Sequence, residues 1–349
     1  MTHLSRRTFG SLAAGVAAAS ALPGLANAAV APSGLRTLGK SGLKVSAVGI
    51  GTNNFGGTID AAATKRVVDA AMDLGATFFD TADVYSNGAS EEFLGKALGA
   101  KRKDAVIATK FGNPRKNSKF PEGGGSRAYI MYSAEESLKR LGTDYIDLYQ
   151  IHRPDEKTPI DETLRAMDDL VKQGKVRFIG HSNFDGAMTN AAAKVSSTAK
   201  ISAFISAQNH YSLLTRDIEK DLVAACEANG VGILPYFPLE SGMLTGKYKR
   251  GEKPAEGTRL ATWAARMPGA TERFMNDAAF AKVEKLQALA DKSGTTLLSM
   301  AFGWLLNKPY IGSVIAGATK PEQVESNVKA AAWRPTPGIN AEIEKITAG

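Results

Sequence analysis

The sequence is nearly free of cysteine, because Cys226 is the single one among 349 residues. One cysteine excludes an internal disulfide, and the sequence has neither a CxxC pair nor a Cys/His spacing of the kind that holds zinc. Cys226 lies in the amphipathic stretch DLVAACEANG. A thiol in such a stretch behaves as a small apolar group, so we expect a buried structural cysteine.

Concentrated charge of one sign is also missing. The chain has 43 Lys and Arg against 35 Asp and Glu, a formal net charge of +8, and these residues are scattered. No basic patch is interleaved with aromatic residues, so the sequence does not predict a nucleic-acid partner. A mildly basic surface favours an anionic cofactor or substrate instead. The hydrophobic fraction of 44% is ordinary for a globular protein.

The first 28 residues differ in composition from the rest. Arg6 and Arg7 form a twin-arginine pattern, an uncharged Ala-rich stretch covers 12–21, and small residues occupy 26–28. This order predicts a cleaved Tat signal peptide over 1–28, with the Tat export machinery as a partner and a periplasmic location. The alternative is a disordered or anchoring tail, and the location would be cytoplasmic if the signal does not function. Pro23 and the Ala-dominated composition argue against a stable membrane span.

Residues 29–349 read as one domain in which short apolar runs alternate with helical patterns. The runs cover 45–49, 77–81, 105–110, 146–152, 176–181, 204–208, 232–236 and 311–315. The helical patterns cover 61–74, 91–98, 134–141, 160–172, 186–195, 218–229, 278–293, 296–307 and 321–331. Such alternation predicts a parallel sheet, and eight strands are the number that closes into a (β/α)8 TIM barrel.

Three local features refine this α/β prediction. The turn Lys40-Ser41-Gly42 predicts an N-terminal β-hairpin before the first barrel strand. The irregular stretches 112–129 and 247–275 follow the third and seventh strands, so we expect extended loops on the active face. An open, doubly wound sheet is the alternative fold. That fold would require a GxGxxG turn after the first strand. Gly49 and Gly51 supply the first two glycines of this motif, but the third is missing.

Four residue types that suit one reaction stand at or just after predicted strand ends: Asp80, Tyr85, Lys110 and His152. Strand carboxyl ends converge on one face of a barrel, so we expect these side chains to lie together. An ammonium next to a phenol favours the phenolate and lowers a pKa that is ordinarily about 10. We therefore predict that Tyr85 gives a proton to a carbonyl oxygen, while Lys110, held by Asp80, stabilises the phenolate. His152 would fix the carbonyl oxygen.

Seven sequence blocks resemble the signatures of the aldo-keto reductases. They are DTADVYSNGASEEFLGKAL, ATKFG, LYQIHRPD, GHSNF, AQNHYSLL, PYFPLESGMLTGKY and GATKPEQVESNV, in family order within 35–331. The chain is similar to the bacterial branch that also contains the β-subunits of voltage-gated potassium channels. The resemblance implies a (β/α)8 barrel that reduces a small carbonyl substrate with NADP(H), and it implies the same four catalytic roles.

The resemblance also implies a set of cofactor residues. They are Asp80; Thr52 and Asn53 near the nicotinamide ribose; Ser182, Asn183, Gln208 and Tyr236 around the nicotinamide; Leu239, Ser241 and Leu244 at the pyrophosphate; Lys247 and Arg259 at the 2′-phosphate; and Gly317, Thr319, Gln323 and Asn327 at the adenosine. Pro321 begins the predicted helix 321–331, and the N-terminus of this helix would face the anionic part of the cofactor. Cations near the 2′-phosphate favour NADP over NAD, although Gln323 stands where some relatives carry an arginine.

Two other function classes remain open at this point. A regulatory or redox-sensing subunit would bind NADP(H) and barely turn over. A metal-dependent barrel lyase or hydrolase would need clustered His, Asp and Glu at the strand tips, which the sequence does not supply, so no metal is predicted. His181 and His210 are two further imidazoles near strand ends, and we expect both to be structural.

Overall fold

The computed structural model describes residues 34–116, 118–265 and 269–348. The predicted signal peptide lies outside the described residues. The described chain opens with a hairpin in which β1 (Leu35–Thr37) pairs antiparallel with β2 (Lys44–Ser46). The amide of Leu38 donates to the carbonyl of Leu43 at 2.9 Å and closes the turn. The predicted N-terminal hairpin is therefore confirmed.

Eight parallel strands then form a nearly closed barrel, as predicted. They are β3 (Val48–Gly51), β4 (Phe78–Asp80), β5 (Val106–Phe111), β6 (Ile146–Ile151), β7 (Val176–Ser182), β8 (Phe204–His210), β9 (Gly232–Tyr236) and β10 (Val314–Gly317). From β3 to β9 each strand pairs with the next, and β10 pairs with β3. The strands β9 and β10 are not paired directly. The segment just before β10 joins β9 instead, because the amide of Ile233 on β9 donates to the carbonyl of Tyr310 at 2.8 Å.

Helices connect the strands and pack around the sheet. They are α1 (Ala61–Asp73), α2 (Ala89–Leu98), α3 (Arg127–Leu141), α4 (Ile160–Lys172), α5 (Gly186–Ala199), α6 (Leu222–Asn229), α7 (Arg259–Ala264), α8 (Ala270–Phe274), α9 (Asp277–Lys292), α10 (Leu297–Leu306), α11 (Pro321–Ala330) and α12 (Pro337–Thr347). The short α7 and α8 lie within the predicted long loop 247–275.

Several boundaries differ from the prediction for local reasons. The predicted first strand, 45–49, is divided between β2 and β3, because the chain leaves the hairpin at Ala47 to enter the barrel. Helix α3 begins at Arg127 rather than at 134, since the Ser126 hydroxyl accepts from the amide of Tyr129 and caps its first turn. The last strand begins at Val314, and Ile311 contributes only an isolated bridge.

The barrel interior changes from apolar to polar along the strands. Near one end a buried cluster joins Phe78, Ala108 and Leu148 of three neighbouring strands to Leu38 of the hairpin, so the hairpin closes that end. Two residues further along the same strands stand Asp80, Lys110 and Gln150. Because side chains two residues apart share one face of a strand, these polar groups lie inside the barrel above the apolar layer.

Candidate active site

A buried ion pair lies at the centre of the polar end of the barrel. Lys110 Nζ donates to Asp80 Oδ2 at 2.7 Å and to the carbonyl of Thr81 at 2.9 Å. The Lys110 side chain is 0% exposed and that of Asp80 is 4% exposed. A charge removed from water in this way needs a charged partner and full hydrogen bonding, and this pair supplies both. The two residues that the sequence placed on neighbouring strands are thus in direct contact.

Two amides occupy the second oxygen of the Asp80 carboxylate. Gln208 Nε2 donates to Asp80 Oδ1 at 2.8 Å, and Gln150 Nε2 donates to the same atom at 3.4 Å. Gln150 is held in turn by Ser206, whose hydroxyl donates to Gln150 Oε1 at 3.3 Å. Gln150 was not among the site residues predicted from the sequence. The available signal was its position two residues after Leu148 on β6, where it faces the barrel interior like Asp80 and Lys110 on their strands.

Tyr85 and His152 lie beside the ion pair. The Nζ atom of Lys110 is 5.1 Å from the centre of the Tyr85 ring. The Tyr85 and His152 rings meet edge to face, with centroids 5.8 Å apart and an interplanar angle of 79°. All four predicted catalytic residues are therefore brought together at the carboxyl ends of β4, β5 and β6 and in the turn that follows β4.

The pKa of Tyr85 differs from the sequence expectation. Burial raises the pKa of Tyr85, and the Lys110 charge lowers it without offsetting the burial, so the pKa lies above 10. For Lys110, burial opposes the charged form, but Asp80 reverses the effect and the pKa is raised. The site at neutral pH therefore holds a protonated phenol next to an ammonium, and the expected net lowering of the Tyr85 pKa is wrong for this structure.

His152 is neutral in the same environment. Burial lowers the pKa of His152 well below its ordinary range, and the charges of Lys110 and Arg153 lower it further. The Nδ1 atom of its ring is buried without a hydrogen-bond partner among the described residues. The His152 carbonyl accepts from Asn183 Nδ2 at 2.9 Å, which ties the end of β6 to the end of β7. A neutral imidazole in this place is able to hydrogen-bond an uncharged ligand atom.

The predicted nicotinamide residues form a connected set at the ends of β7, β8 and β9. Asn183 adopts a left-handed conformation with φ 61°, and its Nδ2 donates to Ser182 Oγ at 3.0 Å. Tyr236 donates its hydroxyl proton to Asn183 Oδ1 at 2.9 Å. The Tyr236 ring is stacked on His210 with centroids 5.4 Å apart and planes 18° apart. These contacts fix the orientation of the Tyr236 ring at the mouth of the barrel.

The turn after β9 carries the residues predicted to meet the pyrophosphate. Glu240 and Ser241 are left-handed, with φ of 45° and 55°, and they lie between Leu239 and Leu244. The buried Glu240 carboxylate is close to Ser212 Oγ and lies 2.8 Å from His210 Nε2, which anchors the turn. The hydroxyl oxygen of Ser241 is buried and has no hydrogen-bond partner in the described part of the chain.

Arg259 reaches across the end of β10. A Cβ added at Gly317 would lie 2.8 Å from Arg259 Nη2, so the guanidinium packs directly against the backbone of Gly317. Burial lowers the pKa of Arg259, and the groups that oppose this lowering are the phenols of Tyr248 and Tyr85 rather than a carboxylate. Lys247 is exposed, with its Nζ 5.0 Å from the centre of the Tyr248 ring. Arg259 is thus a half-buried cation directed at the strand ends.

The remaining predicted cofactor residues lie around the ends of β3 and β10. The amide of Thr319 donates to Gln323 Oε1 at 2.7 Å. Gln323 belongs to α11, and Asn327 is buried on that helix. Asn53 is exposed just after β3. Thr52 is fully buried, and its hydroxyl is engaged with the carbonyl of Asp80 at 3.2 Å.

His181 and Cys226 are structural, as expected. The His181 ring is stacked on Phe184 with centroids 4.6 Å apart, its Nε2 lies 3.3 Å from Thr189 Oγ1, and burial lowers its pKa to about 3. Cys226 is fully buried, and burial raises the pKa of its thiol to about 12. Within 34–116, 118–265 and 269–348, no group of three or more His, Cys, Asp or Glu could hold a metal ion. None of the described helices is long and apolar enough to cross a membrane.

Comparison with known proteins agrees with this geometry. Residues 47–348 match the model of the aldo/keto reductase family. The chain belongs to this family. The chain is 36% identical over 320 residues to a probable voltage-gated potassium channel subunit beta of Arabidopsis thaliana, covering 89% of this chain and 95% of the relative.

Other relatives of this chain are named as reductases. It is 34% identical over 303 residues to the L-glyceraldehyde 3-phosphate reductase of Escherichia coli (strain K12), covering 84% of this chain and 86% of the relative. It is 34% identical over 316 residues to the aldo-keto reductase YhdN of Bacillus subtilis (strain 168), covering 88% and 91%. Together with the family match, these relatives support an oxidoreductase that acts on carbonyl groups in general.

Proposed function

We propose that this protein reduces an aldehyde or ketone to an alcohol with NADP(H), and that Tyr85 supplies the proton. The observation that carries the proposal is the contact of four groups in one buried site: the Lys110 ammonium 2.7 Å from Asp80, and the Tyr85 ring against both Lys110 and His152. A phenol, an ammonium and a neutral imidazole at one point suit the delivery of a proton to a carbonyl oxygen.

Each residue has a defined part in the proposed reaction. Tyr85 stays protonated at neutral pH because burial raises its pKa, so it is able to donate to the carbonyl oxygen. Lys110, kept charged by Asp80, stabilises the phenolate that forms. The neutral imidazole of His152 orients the carbonyl oxygen through a hydrogen bond. When bound, a reduced nicotinamide cofactor supplies the hydride for the carbonyl carbon.

The described residues fit such a cofactor. Ser241 has a buried hydroxyl without a partner, and it belongs to a left-handed turn anchored by Glu240. Tyr236 has one ring face covered by His210 and a hydroxyl bonded to Asn183. In the proposal, Tyr236 and Asn183 hold the nicotinamide, and the turn with Ser241 holds the pyrophosphate. Buried polar atoms normally have partners, so the orphan hydroxyl supports a ligand there.

Arg259 supports NADP as the cofactor rather than NAD. It is a half-buried guanidinium, and no carboxylate of the described residues is among the groups that shift its pKa. A guanidinium pairs strongly with a phosphate. Steady-state oxidation of NADPH and NADH with a panel of aldehydes and ketones tests the proposal. We expect turnover with NADPH, and we expect Arg259→Met to raise KM for NADPH by roughly 10-fold or more while the KM for NADH changes little.

Lys253→Met is the matched control, because Lys253 is an exposed cation in the same loop. We expect its KM for both cofactors to equal that of the wild type. Absence of turnover with every carbonyl and either cofactor would contradict the reductase proposal. Equal effects of Arg259→Met on NADPH and NADH would contradict the assignment of the 2′-phosphate to Arg259.

A regulatory subunit that binds NADP(H) and barely turns over is the second candidate, because the Arabidopsis relative is named as a channel subunit. The two candidates differ in their kinetics. A reductase cycles repeatedly once a carbonyl is added, whereas a regulatory subunit would retain its cofactor through at most one turnover. Release of oxidised cofactor over many turnovers would contradict the second candidate.

We further propose that the chain is exported to the periplasm by the Tat route and that the signal is then removed. Support comes from the sequence 5–28 alone, with Arg6 and Arg7 as the recognised pair. Fractionation of cells that express the full chain tests this proposal. We expect Arg6→Lys combined with Arg7→Lys to retain the protein in the cytoplasm. An unprocessed wild-type chain in the cytoplasm would contradict it.

A further inference from the structure

The segment that carries Tyr85 has a strained backbone. Ser86, Asn87 and Gly88 follow Tyr85 directly, and all three are left-handed, with φ of 49°, 55° and 99°. For a residue other than glycine this conformation is unfavourable, because the Cβ atom comes too close to the following carbonyl oxygen. Such strain persists only where the surrounding structure holds the segment on several sides. The segment from Asp83 to Glu91 therefore requires anchors, and both of its ends supply one.

The first anchor is Asp83, which precedes Tyr85 by two residues. Asp83 is 1% exposed, and its Oδ2 accepts from Tyr129 Oη at 2.9 Å and from Ser133 Oγ at 3.1 Å. Both donors belong to α3. The amide of Asp83 also donates to the carbonyl of Lys110 at 3.0 Å. One residue thus ties the start of the Tyr85 segment both to α3 and to the strand that carries Lys110.

The second anchor is Glu91, which lies in the first turn of α2 and is fully buried. Its Oε2 accepts from Arg140 Nε at 2.7 Å, and its Oε1 accepts from Thr109 Oγ1 at 2.6 Å. Arg140 belongs to α3, and Thr109 is the neighbour of Lys110 on β5. Arg140 also packs against the left-handed turn itself, because a Cβ at Gly88 would lie 2.8 Å from Arg140 Cδ.

We propose that Asp83 and Glu91 are positioning residues that clamp the two ends of the Tyr85 segment to α3 and to β5, and so set the Tyr85 hydroxyl against Lys110. The inference rests on the proposed function, in which Tyr85 is the proton donor. Neither carboxylate has to touch the substrate for this role. Each fixes the segment relative to the same two elements, and one of these elements carries the ammonium that Tyr85 needs.

The geometry distinguishes this clamp from an ordinary buried ion pair. Asp147, near the start of β6, is also a buried carboxylate, and it is paired with Arg102 at 2.8 Å and Arg177 at 3.0 Å. It lies at the opposite end of its strand from His152. Loss of either buried pair destabilises the protein, but only the Glu91 pair is connected to the Tyr85 segment. Asp147→Asn is therefore the matched control for Glu91→Gln.

The experiment compares turnover and cofactor affinity in the full chain of the two variants. For Glu91→Gln we expect kcat for carbonyl reduction to fall roughly 10- to 100-fold, since small displacements of a catalytic group have effects of this size. The Kd for NADPH, measured by quenching of protein fluorescence, should stay near the wild-type value. For Asp147→Asn we expect lower thermal stability with kcat retained. Equal kcat values for the two variants would overturn the inference.

A double-variant measurement separates positioning from general destabilisation. If Glu91 acts through Tyr85, Glu91→Gln will slow single-turnover cofactor oxidation in the wild type but not in the Tyr85→Phe background. Equal slowing in both backgrounds would overturn the inference. Tyr129→Phe tests the other anchor with a smaller change, because it removes one hydroxyl that donates to Asp83. We expect this variant also to slow single-turnover cofactor oxidation in the wild type but not in the Tyr85→Phe background. It provides the test if Glu91→Gln does not fold.

Failure of the inference and failure of the proposed function give different results. A wild type that does not reduce any carbonyl, or a Tyr85→Phe variant with undiminished rate, would contradict the proposed function. A slow Tyr85→Phe variant together with a fully active Glu91→Gln variant would leave the proposed function in place and contradict the clamp alone.

Discussion

At the scale of single residues, the site combines a group held charged with groups held neutral. Lys110 remains an ammonium because Asp80 lies 2.7 Å away, while burial keeps Tyr85 protonated and His152 uncharged. The same buried site therefore holds Lys110 in its charged form and holds Tyr85 and His152 in their neutral forms. The difference comes from the partner: only Lys110 has a carboxylate in contact, and that contact outweighs its desolvation.

Asp83 gives the first prediction, on the pH dependence of stability. Burial, followed by repulsion from Glu91, raises the pKa of Asp83 from 3.8 to about 6, although Tyr129, Arg115 and Ser133 oppose this rise. Between pH 3.8 and about 6, the Asp83 carboxyl group therefore binds a proton more tightly in the folded state than in the unfolded state. Ionisation of Asp83 therefore destabilises the fold as pH rises through this window, by roughly 3 kcal/mol in total.

The measurement compares the free energy of unfolding of the wild type and of Asp83→Asn in urea at several pH values. Relative to the variant, the wild type should lose stability from pH 4 to pH 7 by an amount of that order. The asparagine cannot ionise, so it removes this contribution. A difference between the two proteins that stays constant over the same range would show that Asp83 does not titrate as described.

The residue contacts of the site were only partly predictable from the sequence. Strand ends in a barrel must converge, so Asp80, Lys110 and His152 could be placed together from their order alone. The pairing of Gln208 with Asp80 joins residues 128 positions apart, and no local pattern specifies such a partner. The net rise of the Tyr85 pKa depends on burial, which the sequence order does not give.

At the scale of secondary-structure elements, close helix packing depends on particular glycines. In α2, a Cβ added at Gly95 would lie 2.2 Å from the carbonyl oxygen of Leu141, at the end of α3. That contact is with backbone, which cannot rotate away as a side chain would. The approach of α2 to α3 matters for the site, because α3 carries the side-chain donors to Asp83 and one of the two donors to Glu91.

Replacement of Gly95 gives the second prediction. We expect Gly95→Ala to destabilise the protein by about 1–3 kcal/mol or more, as overpacking does. Gly338 in α12 is the control, since a Cβ there would meet nothing within 4 Å and its φ is not positive. Gly338→Ala should not destabilise the protein, because the added Cβ has room and alanine has the higher helix propensity. Thermal denaturation of both variants measures this, and destabilisation of the same size at both positions would contradict the packing argument.

Elements were more predictable than their ends. The eight apolar runs gave the barrel strands because parallel strands are buried on both faces. The start of α3 was misplaced because its first turn is set by the Ser126 cap rather than by apolar periodicity. The helices α7 and α8, with six and five residues, are too short to show a helical period. The packing of their loop on the strand ends therefore could not be read from the pattern.

At the scale of the whole molecule, the barrel has a structural end and a chemical end. The hairpin covers the first, where Leu38 is fully buried against Phe78 and Leu148. Arg36 Nε fixes the hairpin by donating to the carbonyl of Ile311 at 2.9 Å. The catalytic groups lie beyond the apolar layer, toward the other end of the same strands. Stability and chemistry are therefore separable by position along the barrel.

Leu38 provides the third prediction. We expect Leu38→Ala to lower the free energy of unfolding by about 2–5 kcal/mol, because it leaves a cavity in a closed apolar cluster. The kcat of the folded protein should not change, since no residue of the site contacts Leu38 within the described cluster. Urea denaturation and steady-state turnover, measured well below the unfolding temperature, check both parts. A loss of kcat comparable with that of Glu91→Gln would contradict the separation of the two ends.

The most direct measurement of the central claim is the rate of a single turnover in Tyr85→Phe. The phenylalanine retains the ring and removes the hydroxyl, so the cofactor site should stay intact. With enzyme in excess over NADPH and a saturating aldehyde, we expect cofactor oxidation to be slower by about 10²–10⁴-fold than in the wild type, with the Kd for NADPH unchanged. A wild-type rate in this variant would contradict the assignment of Tyr85 as the proton donor.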